Sequence, residues 1–354
     1  MFFIKEMLVS KNLLIFYSYL FLTGLFSVLT GTNTSSRVLS QVVGISLVSL
    51  YYYNFFGLIS EKISHLFGIY TRFATIISAL GLIISCIHSF MRMEFMPVKS
   101  IMLEPAHFVT AVLPALYFQI KDKNVAYYWN RVAILLAAIL LSGSSVGLLG
   151  LLLILFLIPK KINPVRIILP LIFASVFAVA LYFTFPKFTL RIDDTVNSFV
   201  NKDVSGANLS SYSLISNYLV AYKSFSRNPV LGGGLGSHVI THDREIGTIA
   251  GSEEFTEFLE LNSQDANSLM VRVVSELGLV GILIIFSFII KYYSAANESS
   301  LWISRAVLIY FFCKLLREGH YFSPEMYFFI FAYWLNYVQN RDKREDTTQL
   351  CPSS

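Results

Sequence analysis

Residues 264–281, QDANSLMVRVVSELGLVG, combine charged side chains with the composition of a membrane-spanning helix. Arg272 and Glu276 lie inside the apolar part of this stretch, and Asp265 and Asn267 precede it. Arginine stabilises developing negative charge, and a carboxylate accepts or orients protons. A charge in hydrocarbon is costly and tends to mark a pathway or a site. The alternative interpretation is a simple i,i+4 ion pair within one helix.

The composition indicates an integral membrane protein. The chain has 354 residues, of which 55% are hydrophobic and only 14% charged, whereas soluble domains carry about 25% charged residues. The net charge of +5 is spread over short loops, which indicates membrane topology and not a nucleic-acid surface. Cys86, Cys313 and Cys351 are scattered along the chain, so neither a disulfide framework nor a metal cluster is indicated.

Apolar stretches long enough to cross a bilayer recur along the chain and predict about ten spans. The run 126–158 is interrupted by the polar turn SGSS at 142–145 and is interpreted as two spans. The first stretch follows Lys5 and Lys11 and lacks a small-residue cleavage site, so it is expected to be a retained span. The spans are 13–30, 38–58, 69–91, 101–119, two within 126–158, 164–185, 268–290, 301–317 and 323–339.

Lysine and arginine are enriched in alternate short loops, which by the positive-inside rule places both termini in the cytoplasm. The one long hydrophilic segment, 186–267, is then external. We expect an N-terminal transmembrane bundle (1–185), this external loop (186–267), a C-terminal group of transmembrane helices (268–340) and a cytoplasmic tail (341–354). The first group has about seven spans and the second about three.

Polar side chains lie at the external ends of several predicted spans. They are Gln41, His88, Arg92, Glu104, His107, Asn267, Arg272, Glu276, Lys314, Arg317 and His320. Snorkelling and pairing within one helix explain single cases. Snorkelling does not predict a preference for one leaflet, so the distribution also fits a polar chamber that opens to the external face.

The external loop contains a predicted amphipathic helix at 210–226. An apolar stripe with helical spacing suits a helix on the membrane surface, and Asn217 and Lys223 lie off that stripe. Asn228-Pro229 is expected to end the helix. The stripe consists of Leu214, Tyr218, Leu219, Tyr222 and Phe225.

The stretch VLGGGLGSH at 230–238 follows this helix. Its glycines either form a flexible turn or expose backbone N–H groups that cradle an anion. A dinucleotide-binding turn is rejected, because it needs a strand before it and a helix after it, whereas a helix and a charged loop are predicted here. His238 and His242 are four residues apart, and Asp243 adjoins them. Because no helix is predicted there, this spacing is only a weak signal for a metal, and no metal site is expected.

Three stretches together resemble the bacterial O-antigen and capsule repeat-unit polymerases, the Wzy-like relatives of the O-antigen ligases. They are NLSSY at 208–212, NPVLGGGLGSH at 228–238 and DANSL…R…SELGLVG at 265–281. LEPAHF at 103–108 resembles the Glu-Pro motif that opens an earlier helix of the family, and REGHY at 317–321 is similar as well. Ligases of the superfamily carry a histidine where the last loop enters its helix. Asn267 takes that place here, which favours a polymerase.

The resemblance implies an all-α integral membrane protein with GT-C-like polytopic glycosyltransferase architecture. Such a polymerase joins oligosaccharide units carried on undecaprenyl pyrophosphate at the periplasmic face of the inner membrane. No cofactor and no nucleic-acid partner is expected, and a separate chain-length regulator is usual in the family. An O-antigen ligase and a lipid-linked oligosaccharide flippase are the alternatives.

The resemblance also implies roles for individual residues. Arg272 and Arg317 neutralise charge on the leaving pyrophosphate, and Glu276 holds Arg272 or serves as a base. Glu104 and His320 are the favoured bases for the acceptor hydroxyl, and Glu318 and His238 are further candidates. The residues expected to bind substrate are Arg92, Asn217, Lys223, Gly232, Gly234, Gly236, His238, Asp265, Asn267 and Ser268.

Overall fold

The computed structural model of the chain describes residues 10–59, 62–123, 126–158, 182–183, 189–190, 193, 196–197, 200, 209–249 and 259–349. Every regular element bounded within these residues is a helix, which agrees with the predicted all-α class. The helices are α1 (Lys11–Leu29), α2 (Ser35–Leu58), α3 (Ile63–Arg92), α4 (Pro105–Lys121), α5 (Tyr128–Leu141), α6 (Ser145–Leu157), α7 (Leu209–Arg227), α8 (His238–Ile249), α9 (Leu269–Lys291), α10 (Glu298–Leu316) and α11 (Pro324–Gln349).

Five of these helices, α1, α2, α3, α9 and α10, are long and apolar enough to cross a membrane. Helices α5 and α6 are apolar but shorter, and the turn predicted between them is present at Ser142 and Gly143. These features are consistent with an integral membrane protein. The total of ten spans stays a prediction, because span 164–185 lies outside the described residues apart from 182–183.

The chain divides into two compact units, each built from distant parts of the sequence. The first unit comprises Met1–Asn54, Leu171–Ser287 and Leu315–Ser323. The second comprises Phe55–Pro170, Phe288–Lys314 and Pro324–Ser354. The first unit therefore brings α1 and most of α2 together with α7, α8 and most of α9.

The core of the first unit joins α1, α2 and α9 to the glycine-rich turn, residues 228–237 between α7 and α8. It contains Leu20, Val38, Val42, Ile45, Leu235, Val273, Leu277 and Tyr321. Polar contacts between elements accompany this packing. The hydroxyls of Tyr17 and Ser49 lie 2.6 Å apart, and Asn33 Nδ2 donates to the carbonyl of Leu235 at 2.8 Å. The turn is thereby fixed to the first two helices.

The second unit packs aromatic side chains and small residues between its helices. The rings of Tyr310 and Phe329 stack with centroids 4.2 Å apart. Asn336 Nδ2 donates to the carbonyl of Ser300 and to the hydroxyl of Ser304, both at 3.0 Å. Tight packing and hydrogen bonds between helices are the interactions that hold helices together in lipid.

Helix α7 confirms the predicted helix and its end, because it stops at Arg227, directly before Asn228. Two aromatic residues of the predicted stripe, Tyr218 and Tyr222, are exposed. The opposite face is buried and mixed, with polar Asn217 beside apolar Ile215 and Val220. The two exposed aromatic side chains are compatible with the predicted position on a membrane surface.

The prediction of a charged loop after the glycines is wrong, because residues His238–Ile249 form helix α8. Its buried positions follow a helical period, and the carbonyl of Ser237 accepts the N–H of Thr241 at 3.0 Å. The charges do not prevent this packing, because Glu245 forms ion pairs with Lys223 at 3.1 Å and Arg227 at 2.6 Å. The dinucleotide-binding turn stays excluded, since α7 and not a strand precedes the glycines.

Candidate functional site

Arg272 is a buried arginine, 3% exposed, in the first part of α9. Its Nε donates to Glu276 Oε1 at 3.1 Å, and its Nη1 donates to the carbonyl of Gly319 at 3.1 Å. Its Nη2 donates to Gln41 Oε1 at 3.4 Å. The guanidinium carbon lies 4.1 Å from the centre of the Tyr321 ring. Charge-assisted hydrogen bonds and the aromatic face therefore fix the guanidinium in one orientation.

These contacts leave part of the guanidinium available. Arginine carries five N–H donors, and three of those of Arg272 have a partner among the described residues. One N–H on each terminal nitrogen is left. The i,i+4 pair with Glu276 is present, but the contacts to Gln41 and Gly319 show that pairing within one helix does not alone account for the position of Arg272. The group is a preoriented cation that keeps two N–H donors without a partner among the described residues.

Helix α9 is interrupted at Gly278, where φ is 58° and ψ is −150°. This backbone region is essentially confined to glycine. The N–H of Leu279 donates to the carbonyl of Pro229 at 2.9 Å, and the N–H of Val280 donates to that of Val230 at 3.1 Å. The break therefore lies against the glycine-rich turn, which supplies acceptors for N–H groups that have lost their helical partners.

The same turn supplies donors for the carbonyls that precede the break. The N–H of Gly233 donates to the carbonyl of Ser275, and the N–H of Gly234 donates to that of Glu276, both at 2.9 Å. The Ser224 hydroxyl also donates to the Ser275 carbonyl at 2.9 Å. Irregular backbone at membrane depth requires such partners, because lipid offers none.

Some of the backbone N–H groups predicted to cradle an anion instead donate hydrogen bonds to carbonyls of the protein. The N–H of Gly232 donates to the carbonyl of Asn228 at 2.9 Å, and that of Gly234 is engaged by Glu276. Gly232, Gly234 and Gly236 have φ of 66°, 91° and 85°, a left-handed conformation that favours glycine. Gly232 lets the turn lie against the backbone of Glu276, whereas Gly234 and Gly236 let it approach Ser27 and Gln41.

His238 is fully buried at the start of α8. Its Nε2 lies 3.0 Å from Asn217 Oδ1. The amide nitrogen of Asn217 donates to the carbonyls of Ser213 at 2.7 Å and Leu261 at 3.2 Å, so its oxygen accepts the Nε2–H of His238. Nδ1 is then unprotonated, and it has no partner among the described residues. The backbone N–H of His238 points at Glu276 Oε1, 3.4 Å away.

Burial, together with smaller contributions from the neighbouring His242 and Arg272, lowers the pKa of His238 from 6.5 to about 3. His242, also buried, has its pKa lowered by burial as well. The two rings lie 6.3 Å apart on successive turns of α8. Within the described residues, no three metal-ligating side chains converge on one point.

We expect the stability of the protein to fall as the pH is lowered below about 6.5. Unfolded histidine takes up a proton near 6.5 whereas folded His238 does not until about 3, so each pH unit in between costs up to about 1.4 kcal/mol. Thermal unfolding of the purified protein between pH 7 and 5 measures this slope.

His238→Gln is expected to reduce the slope, and the double variant with His242→Gln to reduce it further. Unchanged slopes in both variants would contradict the assignment.

The start of α9 is joined to the last turn of α10 and to the chain that follows it. The Ser268 hydroxyl donates to the carbonyl of Leu315 at 2.7 Å and accepts the N–H of Val271 at 3.3 Å, so it caps α9. The N–H of Glu318 donates to the carbonyl of Asn267 at 3.0 Å. Two segments that both carry predicted site residues are thus held side by side.

Asp265 and His320 form a pair within this contact. His320 Nε2 lies 3.5 Å from Asp265 Oδ2, and the histidine side chain is 52% exposed while the carboxylate is buried. The other oxygen, Oδ1, accepts the N–H of Asn267 at 3.1 Å. A side chain at Gly319 would overlap the carbonyl oxygen of Asp265. The pair places an accessible imidazole within ion-pair distance of a buried carboxylate.

The segment that contains α7, the glycine-rich turn, α8 and the start of α9 has a counterpart among known families. Residues 131–286 match the O-antigen ligase family. This match confirms the resemblance to the O-antigen ligase and polymerase superfamily. Members of the family are glycosyltransferase-like enzymes, either polymerases or ligases. A search of the curated proteins found no match.

The O-antigen ligase match includes most of the predicted site residues. Those within it are Asn217, Lys223, Gly232, Gly234, Gly236, His238, Asp265, Asn267, Ser268, Arg272 and Glu276. Arg317 and His320 lie beyond its end but in the same compact unit as Arg272. Arg317 directly follows α10 and is partly buried.

Glu104 and Arg92 belong to the second unit. Glu104 immediately precedes Pro105, the first residue of α4, as the Glu-Pro motif predicts, and its side chain makes no capping hydrogen bond. Arg92 is the last residue of α3 and is exposed. The cationic and histidine candidates Arg272, Arg317, His238 and His320 thus belong to the first unit, whereas Glu104 and Arg92 belong to the second.

The sequence predicts no role for Gly319 and Tyr321, and it marks Gln41 only as a polar residue at the start of a span. All three contact Arg272 directly. The sequence feature that could have identified Gln41 is its polar amide within the apolar stretch 38–58. Gly319 and Tyr321 lie within the REGHY stretch, but their contact with α9 depends on tertiary structure.

Proposed function

We propose that this chain is a polymerase that joins oligosaccharide repeat units carried on undecaprenyl pyrophosphate into O-antigen or capsular polysaccharide. The reaction takes place at the periplasmic face of the inner membrane, with both termini in the cytoplasm and the loop 186–267 in the periplasm. The family match supports a glycosyltransferase of polymerase or ligase type. The observation that carries the proposal is the buried, oriented guanidinium of Arg272 with two N–H groups left for a ligand.

In this reaction a hydroxyl oxygen of the acceptor attacks the anomeric carbon of the donor sugar. The bond from that carbon to the phosphate oxygen breaks, and undecaprenyl pyrophosphate leaves with the electron pair. Negative charge grows on the leaving group, where Arg272 supplies donors that are already oriented. Such a donor is typically worth about 10²–10³ in rate. Arg317, in the same unit, is the second proposed cation.

The hydroxyl proton needs an acceptor, and a placed base typically contributes about 10²–10⁴ in rate. His320 is supported as this base by its exposure and by Asp265, 3.5 Å from its Nε2. Glu104 is the alternative, since it lies at the start of α4 without a capping bond. Glu276 has the positioning role, because it accepts from Arg272 Nε and faces the N–H of His238.

Asn267 supports a polymerase over a ligase. It stands where the ligases of the superfamily carry a histidine, and an amide does not take up a proton at neutral pH. Asn267 is 1% exposed, and its Nδ2 has no hydrogen-bond partner among the described residues. It is thus available as a donor to a substrate oxygen. A ligase that transfers polymer to the lipid A core is the second candidate, favoured by the family's own description.

Deletion of the gene in the source bacterium, followed by analysis of lipid-linked and surface polysaccharide, tests the proposal. We expect loss of long chains, with single repeats still attached to the surface acceptor, and restoration by the complemented chain. Lipid-linked polymer that never reaches the lipid A core would instead identify a ligase. Repeat units retained on the inner leaflet would identify a flippase.

A further inference from the structure

The second unit contains a cavity of about 400 Å³. Neither Arg272 nor any of the residues that contact it lines this cavity. It lies where α3, α5 and α10 begin and α4 ends, as its lining residues Lys62, Phe118, Arg131 and Trp302 indicate. A volume of several hundred Å³ is typical of small-molecule and headgroup pockets. The distribution of lysine and arginine assigns this end of the helices to the cytoplasm.

The lining of the cavity is basic. Lys62, Arg72 and Arg131 contribute three cations, and Asp122 contributes one carboxylate. Among the described residues, none of the three cations has an ion-pair partner. Lys62 directly precedes α3, so the positive end of the helix dipole adds to the field. Unpaired cations around a concavity attract an anion of matching size.

The cavity also offers contacts for an amphiphile. Phe118 is buried in the wall, and Trp302 is partly exposed. Aromatic residues at the start of a membrane helix mark the headgroup level. Basic pockets between transmembrane helices on the cytoplasmic side bind anionic headgroups.

We infer that this cavity is a binding site for a phosphate-bearing anion, held by Lys62, Arg72 and Arg131. The recognised group is a phosphate, presented either by the phosphodiester of an anionic phospholipid headgroup or by soluble inorganic phosphate. The inference is independent of the proposed reaction, since it uses other residues and a separate unit.

Two kinds of variant test the site from different directions. Arg72→Gln combined with Arg131→Gln removes two cations. Its matched control, Lys99→Gln combined with Lys291→Gln, removes the same charge from exposed positions outside the cavity lining.

Gly68→Leu fills the cavity without altering charge, because Gly68 lines it and a Cβ there meets no atom within 4 Å. Gly57→Leu is the control on α2, where a Cβ likewise meets nothing within 4 Å.

The measurements use the purified full chain in detergent. Native mass spectrometry gives the occupancy of added phosphatidylglycerol, with zwitterionic phosphatidylcholine as the comparison of zero net charge, and thermal unfolding gives the response to inorganic phosphate. We expect the arginine double variant and Gly68→Leu to weaken binding at least about tenfold, while both controls bind as the natural chain does.

Loss of phosphatidylglycerol binding identifies a lipid site, and loss of the phosphate response alone identifies a soluble ligand. Equal binding by all variants, equal loss in the controls, or binding of neither anion by the natural chain would overturn the inference. Circular dichroism and size-exclusion profiles establish that each variant is folded.

Discussion

Replacing Arg272 with alanine is expected to abolish long polysaccharide chains and leave the surface acceptor carrying a single repeat. The side chain is proposed to hold the leaving pyrophosphate, and loss of one oriented donor typically costs about 10²–10³ in rate. The same outcome is expected for Arg317→Ala. Gel analysis of surface polysaccharide from a deletion strain that expresses each variant provides the measurement.

The alanine variant alone does not separate catalysis from folding. It leaves the buried carboxylate of Glu276 without its partner at 3.1 Å, and an uncompensated buried charge typically costs about 3–5 kcal/mol. The double variant Arg272→Gln with Glu276→Gln removes both charges together and keeps hydrogen-bonding groups at both positions. It is expected to accumulate in the membrane and still to make no long chains.

Two further variants complete the test. Arg272→Lys keeps the charge but loses the planar fork that reaches Glu276, Gly319 and Gln41, so a large loss of activity is expected. Arg244→Ala removes an exposed arginine of α8 whose ion pair with Glu245 is 3.2 Å long, and a normal ladder is expected because exposed pairs contribute little. A normal ladder from the double glutamine variant would exclude Arg272 from the mechanism.

Much of the helical architecture follows from local signals in the sequence. The apolar lengths predict α1, α2, α3, α9 and α10, and Asn228-Pro229 predicts the end of α7. The SGSS turn and the Glu-Pro start of α4 are local as well. These features depend on residues within one or two helical turns, where hydrophobicity, caps and proline act directly.

Helix α8 shows where local signals were misread. Its charged residues favoured a loop, yet His238, Thr241, His242 and Glu245 are buried along one face. The spacing and the preceding Ser237 were visible in the sequence. What was not visible is that Lys223 and Arg227 of α7 would neutralise Glu245. A partner on another helix changed the free energy of burying a charged face.

The candidate site itself depends on contacts between distant residues. Arg272 was recognised because it is a charge in an apolar stretch, but Gln41 and Gly319 became partners only when α2 and the chain after α10 met α9. The break at Gly278 is likewise hidden, because its apolar flanks resemble an uninterrupted span. Its partners, Pro229 and Val230, precede it by more than forty residues in the sequence.

Gly278→Ala is expected to prevent the first unit from forming correctly. A Cβ there would lie 2.7 Å from the backbone atoms Gly232 N, Pro229 O and Val230 O, and backbone does not yield as a flexible side chain does. The conformation at φ 58° and ψ −150° adds strain of about 1–3 kcal/mol for any other residue. Displacing the turn also weakens backbone hydrogen bonds, each worth about 0.5–1.5 kcal/mol.

The combined loss is on the order of 4 kcal/mol, a large share of the typical total stability of about 5–15 kcal/mol. We therefore expect little folded protein in the membrane and no long polysaccharide, measured by immunoblot, thermal unfolding and the surface ladder. Gly247→Ala is the matched control in the same unit, because a Cβ there meets no atom within 4 Å. It is expected to change stability by less than about 1 kcal/mol.

The comparison is informative because both substitutions add one methyl group to a glycine of the first unit. The two glycines differ in backbone conformation, since Gly278 has a φ of 58°, and only Gly278 joins α9 to the turn that fixes Glu276 and, through it, Arg272. If Gly278→Ala behaved like Gly247→Ala, the broken helix would not be needed for the site, and the arrangement proposed for the leaving pyrophosphate would lose its structural basis.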